Sequence, residues 1–199
     1  MKKIILLALI TLAVANGYSQ KKGGFRVGLD FGYVPTGGGG GGMFSIEPKY
    51  NIKDNMNVGL RLGGAGIVRD LQGENGGETT AKLAANSSFV GTYDYYFNKS
   101  GKSFVPYVGA GIGYYSLANV EIDDTNVDLP DSYSPAVSGE MGGLIRAGFE
   151  WGKFRMGVEY NLVPDSDVEN LSGDKIGTAK NAYVGIHLGF FLGGGKWGK

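Results

Sequence analysis

The chain has 199 residues, among them 37 glycines, 12 tyrosines, 10 phenylalanines, one histidine and no cysteine, and its 19 basic residues balance 19 acidic ones. That length suits one domain or one barrel. Disulfides and thiolate metal centres are excluded by composition, and a chain with no excess of positive charge has no electrostatic footprint for nucleic acid.

The first element is a secretory signal. Lys2 and Lys3 form a positive n-region, Ile4 to Val14 an apolar run, and Gly17, Tyr18 and Ser19 place small residues where a signal peptidase needs them. The apolar run is too short for a helical span, which takes about 20 residues. The expected division is a cleaved signal over residues 1–19 and a β-barrel domain over 20–199. Removal of Lys2 and Lys3 leaves 17 basic against 19 acidic residues.

Eight strands follow. In the first, Phe25, Val27, Leu29, Phe31 and Tyr33 alternate with Arg26, Gly28, Asp30 and Gly32, the period of a strand with two unlike faces. Six of the others run from Met43 to Ile52, Met56 to Ile67, Leu83 to Phe97, Phe104 to Tyr115, Glu140 to Trp151 and Phe154 to Leu162, and the last from Ala182 to Leu192. Connections after strands two, four and six are short, while those after strands one, three, five and seven are expected to be longer. An even number of strands with short turns at one end and long loops at the other is the pattern of an outer-membrane barrel.

The apolar face is expected to be the outer one. Eight such faces carry about forty large side chains, too many for the interior of an eight-stranded barrel. The opposite face holds Gly28, Gly32, Gly59, Gly63, Gly109, Gly111, Gly113, Gly157, Gly185 and Gly189; glycine weakens a wet strand face but makes room inside a narrow lumen for long charged side chains. Tyr93, Tyr95, Phe97, Phe104, Trp151 and Phe154 flank the short turns, and Phe31, Tyr33, Phe44, Tyr114 and Tyr160 lie toward the other rim, as two interfacial girdles would. The expected fold is all-β, an eight-stranded antiparallel up-and-down transmembrane β-barrel.

The stretches FVPYVGAGIGYY (Phe104 to Tyr115) and NAYVGIHLGFFLGGGK (Asn181 to Lys196) resemble the small outer-membrane β-barrel domain family of Gram-negative bacteria, within the porin-like superfamily. The resemblance implies a cell-envelope barrel in the outer membrane, in contact with its lipid, monomeric, and inserted by the barrel assembly machinery. That machinery reads an aromatic and apolar last strand, for which Tyr183, Ile186, Leu188, Phe190 and Leu192 are the candidates. The family pattern closes on an aromatic, whereas this chain runs on from Gly193 to Lys199.

Two turns set register for the lumen face. Trp151-Gly152-Lys153-Phe154 reads as a two-residue hairpin with glycine first, which sets Glu150 opposite Arg155 and Arg146 opposite Glu159. The turn Lys53-Asp54-Asn55 sets Glu47 opposite Arg61. These six residues are the candidate lumen charge network, paired as written, with Asp30, Lys49, Asn161 and His187 extending it into a plug without a continuous water pore.

Little else carries chemistry. GAGIGY (Gly109 to Tyr114) and GGAGIV (Gly63 to Val68) lie within strands and lack the helix that a dinucleotide fingerprint requires. Gly37 to Gly42 reads as a loop. The acidic stretches Glu121 to Asp131 and Asp165 to Lys175 read as solvated loops without the spacing of a calcium site. The lone His187 reads as a lumen group rather than a catalytic base or a metal ligand. No catalytic residue, metal or cofactor is therefore expected. The leading functional expectation is a structural or surface-interaction barrel that displays long loops to the outside, with no enzymatic activity. The alternative is passage or binding of small hydrophobic molecules, hinted at by Ala84, Ser88 and Gly91, read as small lumen-facing residues of strand four. A membrane enzyme and a soluble ligand-binding barrel are the remaining alternatives.

Overall fold

The computed structural model describes residues 22–36, 39–71, 80–98, 102–122, 137–169, 175–194 and 197. The signal and its cleavage site fall outside them. Ten strands are present: β1 (Phe25–Thr36), β2 (Gly39–Lys53), β3 (Met56–Leu71), β4 (Thr80–Tyr96), β5 (Phe104–Ile122), β6 (Val137–Trp151), β7 (Phe154–Leu162), β8 (Ser166–Glu169), β9 (Lys175–Ala179) and β10 (Tyr183–Gly193). Eight close into one antiparallel barrel in the order β1-β10-β7-β6-β5-β4-β3-β2, and β8 and β9 form a separate hairpin. Closure pairs β1 with β10 from Arg26 opposite Gly193 to Tyr33 opposite Ile186. No strand edge is left open in the barrel, so the strand backbone is paired from within, as a bilayer demands.

The alternation read from the sequence sets the faces. Along β7 every residue from Phe154 to Leu162 switches between exposed and buried, and β10 does the same as far as Phe190. Large apolar side chains cover the outside: Ile112 is 69 % exposed, Leu188 61 % and Phe154 71 %. On a soluble protein so large an apolar surface would mark an interface; around a closed barrel it is a lipid belt. Aromatics sit at both ends of that belt. Phe97, Phe104, Trp151 and Phe154 are exposed by the short turns, and Phe31, Tyr33, Phe44, Tyr114 and Tyr160 by the other rim.

Three local readings need correction. The glycine run is mostly strand: Gly39 to Gly42 belong to β2 and pair with both β1 and β3, for example Gly42 with Tyr33 and with Gly66. Glycine carries no side-chain pattern, so its pairing is invisible to periodicity, and the connection from β1 to β2 shrinks to residues 37–38. The connection from β3 to β4, 72–79, is also hardly longer than that from β4 to β5, 97–103, so the loop asymmetry rests on the connections after β5 and β7. Within the stretch Asp165 to Lys175, Ser166–Glu169 and Lys175 belong to the β8–β9 hairpin rather than to a loop. Gly91 is exposed on the outer face, because in β4 the even-numbered residues point inward. Tyr183 of the last strand is 6 % exposed and faces the lumen. Most of the acidic stretch Glu121 to Asp131 lies outside the described residues.

Candidate functional site: the barrel lumen

The hairpin between β6 and β7 turns as its sequence requires. Gly152 takes φ +63°, a left-handed conformation that glycine adopts without a Cβ penalty. Arg146 then lies opposite Glu159, and Glu150 opposite Arg155. In the β2–β3 pair, Ile46 faces Leu62 and Lys49 faces Gly59, which brackets Glu47 against Arg61. The register is therefore as expected, up to a bulge near Asn51 and Lys53.

The ion pairs do not follow that register. Arg146 turns away from Glu159 to Glu47, at 2.7 and 3.1 Å from its two oxygens, and to Asp94, at 2.8 and 3.0 Å. Arg61 binds Glu159 at 2.7 Å rather than its neighbour Glu47. Arg155 reaches Glu47 at 3.3 Å and Asp30 at 3.8 Å, and its Nε donates to the Tyr107 hydroxyl at 2.7 Å. Glu150 holds Arg26 of β1 across the lumen through both oxygens, at 2.9 and 3.0 Å. The reason is reach. A guanidinium on a long stem inside a narrow barrel meets the opposite wall as readily as the adjacent strand, and it favours carboxylates that it grips with two N–H groups.

The result is one layered network. At its centre Glu47 and Asp94 share Arg146 and Lys49; Lys49 lies 3.2 Å from Glu47 and also binds Asp94. Toward the long-loop end, Glu159 accepts from Arg61 and from Asn161, which in turn accepts from the Tyr115 hydroxyl at 3.0 Å. His187 lies 3.7 Å from Glu159 and 3.3 Å from the Tyr107 hydroxyl. Toward the short turns, Tyr96 donates to Glu150 at 2.7 Å. Among the described residues, the buried charged set contains Arg26, Lys49, Arg61, Arg146 and Arg155 against Asp30, Glu47, Asp94, Glu150 and Glu159, five of each sign. Such pairing is what lets charges persist away from water.

Glycine makes the space. A Cβ on Gly59 would sit 2.9 Å from Lys49 and 3.1 Å from Glu47, and one on Gly109 would sit 3.1 Å from Arg146 Nε and closer still to Asp94. Small residues of β4 are used the same way. Ser88 lies 3.5 Å from Arg61, and Ala84 packs on an apolar cluster of Val34, Met43, Ala65, Ile67 and Tyr183. A second cluster joins Val90, Tyr115, Leu117, Leu144 and Val163. A third, beside the short turns, joins Tyr96, Val105, Tyr107 and Trp197. The lumen face thus carries apolar and aromatic clusters beside its charges.

All six residues named from the sequence lie in this network. Arg26, Asp94, Tyr96, Tyr107 and Tyr115 belong to it as well. Each sits on the inward parity of its strand, and that parity was the signal that could have found them. Trp197 has no periodic signal at all.

The architecture matches known barrels. Neisserial surface protein A (NspA) superposes with a TM-score of 0.54 at 14 % identity, over 86 % of this chain and 97 % of its own. The outer membrane protein OprG from Pseudomonas aeruginosa gives 0.52 at 14 % identity, over 92 % of this chain and 100 % of its own. No curated protein sequence matches the chain. The family model described as "Outer membrane protein beta-barrel domain" matches residues 4–139, more than half of the sequence. With eight strands closed on a charged lumen and an apolar belt outside, the chain belongs to the outer membrane protein beta-barrel domain family.

Proposed function

We propose that this protein is a sealed structural and surface-interaction barrel of the outer membrane, exported by a cleaved signal over residues 1–19, monomeric, and without enzymatic activity. The barrel domain begins at residue 20 and is inserted by the assembly machinery, which reads the last strand. One observation carries the sealed reading: among the described residues the buried charges number five of each sign and grip one another across the lumen. An ion pathway needs a ring or lining of one sign, or free polar groups that replace an ion's water shell. Here each buried charged side chain named above has a partner of opposite charge within 4 Å, while single atoms such as Asp30 Oδ1, Asn86 Oδ1 and Arg155 Nη2 are left without a hydrogen bond. The passage reading loses its support at strand four, where Ser88 meets Arg61, Ala84 packs in an apolar cluster and Gly91 faces outward.

With the lumen closed, the parts left to act are the connections at the long-loop end, between β3 and β4, between β5 and β6, and around the β8–β9 hairpin. They face the cell exterior, and the short turns face the periplasm. Protease added to intact cells is expected to cut between Ala118 and Ser138 and to spare Lys53 and Lys153. Cleavage at the two lysines in intact cells would invert the topology. Recovery of uncut protein in an osmotic-shock fraction without detergent would remove the membrane reading.

A further inference from the structure

The last strand ends at the short-turn mouth, and Trp197 beyond it touches the barrel. Gly193 takes φ +75° and Gly194 φ +62°, two successive left-handed residues that any other side chain would strain. The turn passes close to the wall: a Cβ on Gly194 would lie 2.6 Å from Arg26 Cβ. Beyond it Trp197 is 2 % exposed. Its backbone N–H donates to the Gly152 carbonyl at 3.2 Å. Its indole Nε1 donates to Glu150 Oε2 at 2.6 Å, and its ring lies 5.3 Å from that of Tyr96. Glu150 is the carboxylate that holds Arg26.

A tryptophan outside every strand, buried as deeply as the barrel's own core, needs a reason. Its indole N–H requires an acceptor when buried, and the acceptor it uses is the buried carboxylate of Glu150. We propose that Trp197 is a latch: beyond the Gly193–Gly194 turn it lies under the barrel, where it closes the short-turn mouth and keeps water from the Arg26–Glu150 pair. The latch is hinged on glycine and lies outside the barrel's ladder of strands, so it is able to open while the barrel stays closed.

The chain has no cysteine, which makes single reporters clean. Val105 packs with Trp197 at the mouth, and Ala65 lies in the apolar cluster toward the other end. Val105→Cys and Ala65→Cys are each made in the full chain, in a Trp197→Ala background and in a chain ending at Gly194. They are then labelled in micelles with a small charged methanethiosulfonate reagent. The latch predicts that Val105→Cys reacts at least tenfold faster in both tail variants, while Ala65→Cys keeps its slow rate. Equal rates at Val105→Cys with and without the tail would overturn it. So would a parallel rise at Ala65→Cys, which would mean that the whole barrel had loosened.

Discussion

Replacing Arg146 with alanine is expected to produce the largest loss of stability of any single change in the lumen. Its guanidinium is the shared partner of Glu47 and Asp94, with four hydrogen bonds between 2.7 and 3.1 Å. Without it, Lys49 and the 3.3 Å contact from Arg155 are left to balance both carboxylates. Removing one partner from a buried ion pair typically costs about 3–5 kcal/mol, because the other charge is stranded away from water. Urea unfolding in lipid vesicles, followed by gel mobility, measures the loss. A double-mutant cycle then identifies the partners. Arg146→Ala is expected to cost clearly less in a Glu47→Gln or Asp94→Asn background than in the wild type. A Glu159→Gln background is expected to leave the cost unchanged, since Glu159 belongs to Arg61. Coupling to Glu159 alone would restore the pairing that strand register suggests and contradict the cross-lumen network.

The same network sets a sharp contrast between two glycines. Gly109 stands where a Cβ would meet Tyr93 O at 3.0 Å and Arg146 Nε at 3.1 Å, with Asp94 nearer still. Valine there must displace the central ion cluster or the β4 backbone, and overpacking a filled interior costs about 1–3 kcal/mol before any charge is separated. With the cluster disturbed as well, Gly109→Val is expected to fail to reach the compact, heat-modifiable form on gels. Gly66 also lies in a strand but faces outward, with no atom within 4 Å of a Cβ built on it. Gly66→Ala is expected to fold and unfold as the wild type does, within about 0.5 kcal/mol. Similar behaviour of the two variants would mean that lumen glycines are not there to make room.

The contrast shows what a sequence of this kind makes legible. Alternation from Phe25 to Tyr33 gave the strand, and the aromatics beside the short turns gave the outward face, because both follow from the two-residue period of a strand. The turn at Gly152 gave local register, since a hairpin fixes its own flanks. Partner choice was hidden. Arg146 finds Glu47 and Asp94 across the lumen, and which strands face each other there depends on how the sheet closes, not on any one turn. Gly39 to Gly42 were hidden for another reason: their strand character comes wholly from backbone pairing with β1 and β3. Trp197 follows two left-handed glycines and lies in no strand, so no period includes it.

The sealed lumen is tested most directly in planar bilayers. Wild-type protein refolded from micelles and added to a bilayer in concentrated potassium chloride is expected to give no steady single-channel steps, because among the described residues five buried cations and five buried anions hold the interior. Stable, porin-sized steps from the wild type would contradict the account and make the barrel a passage.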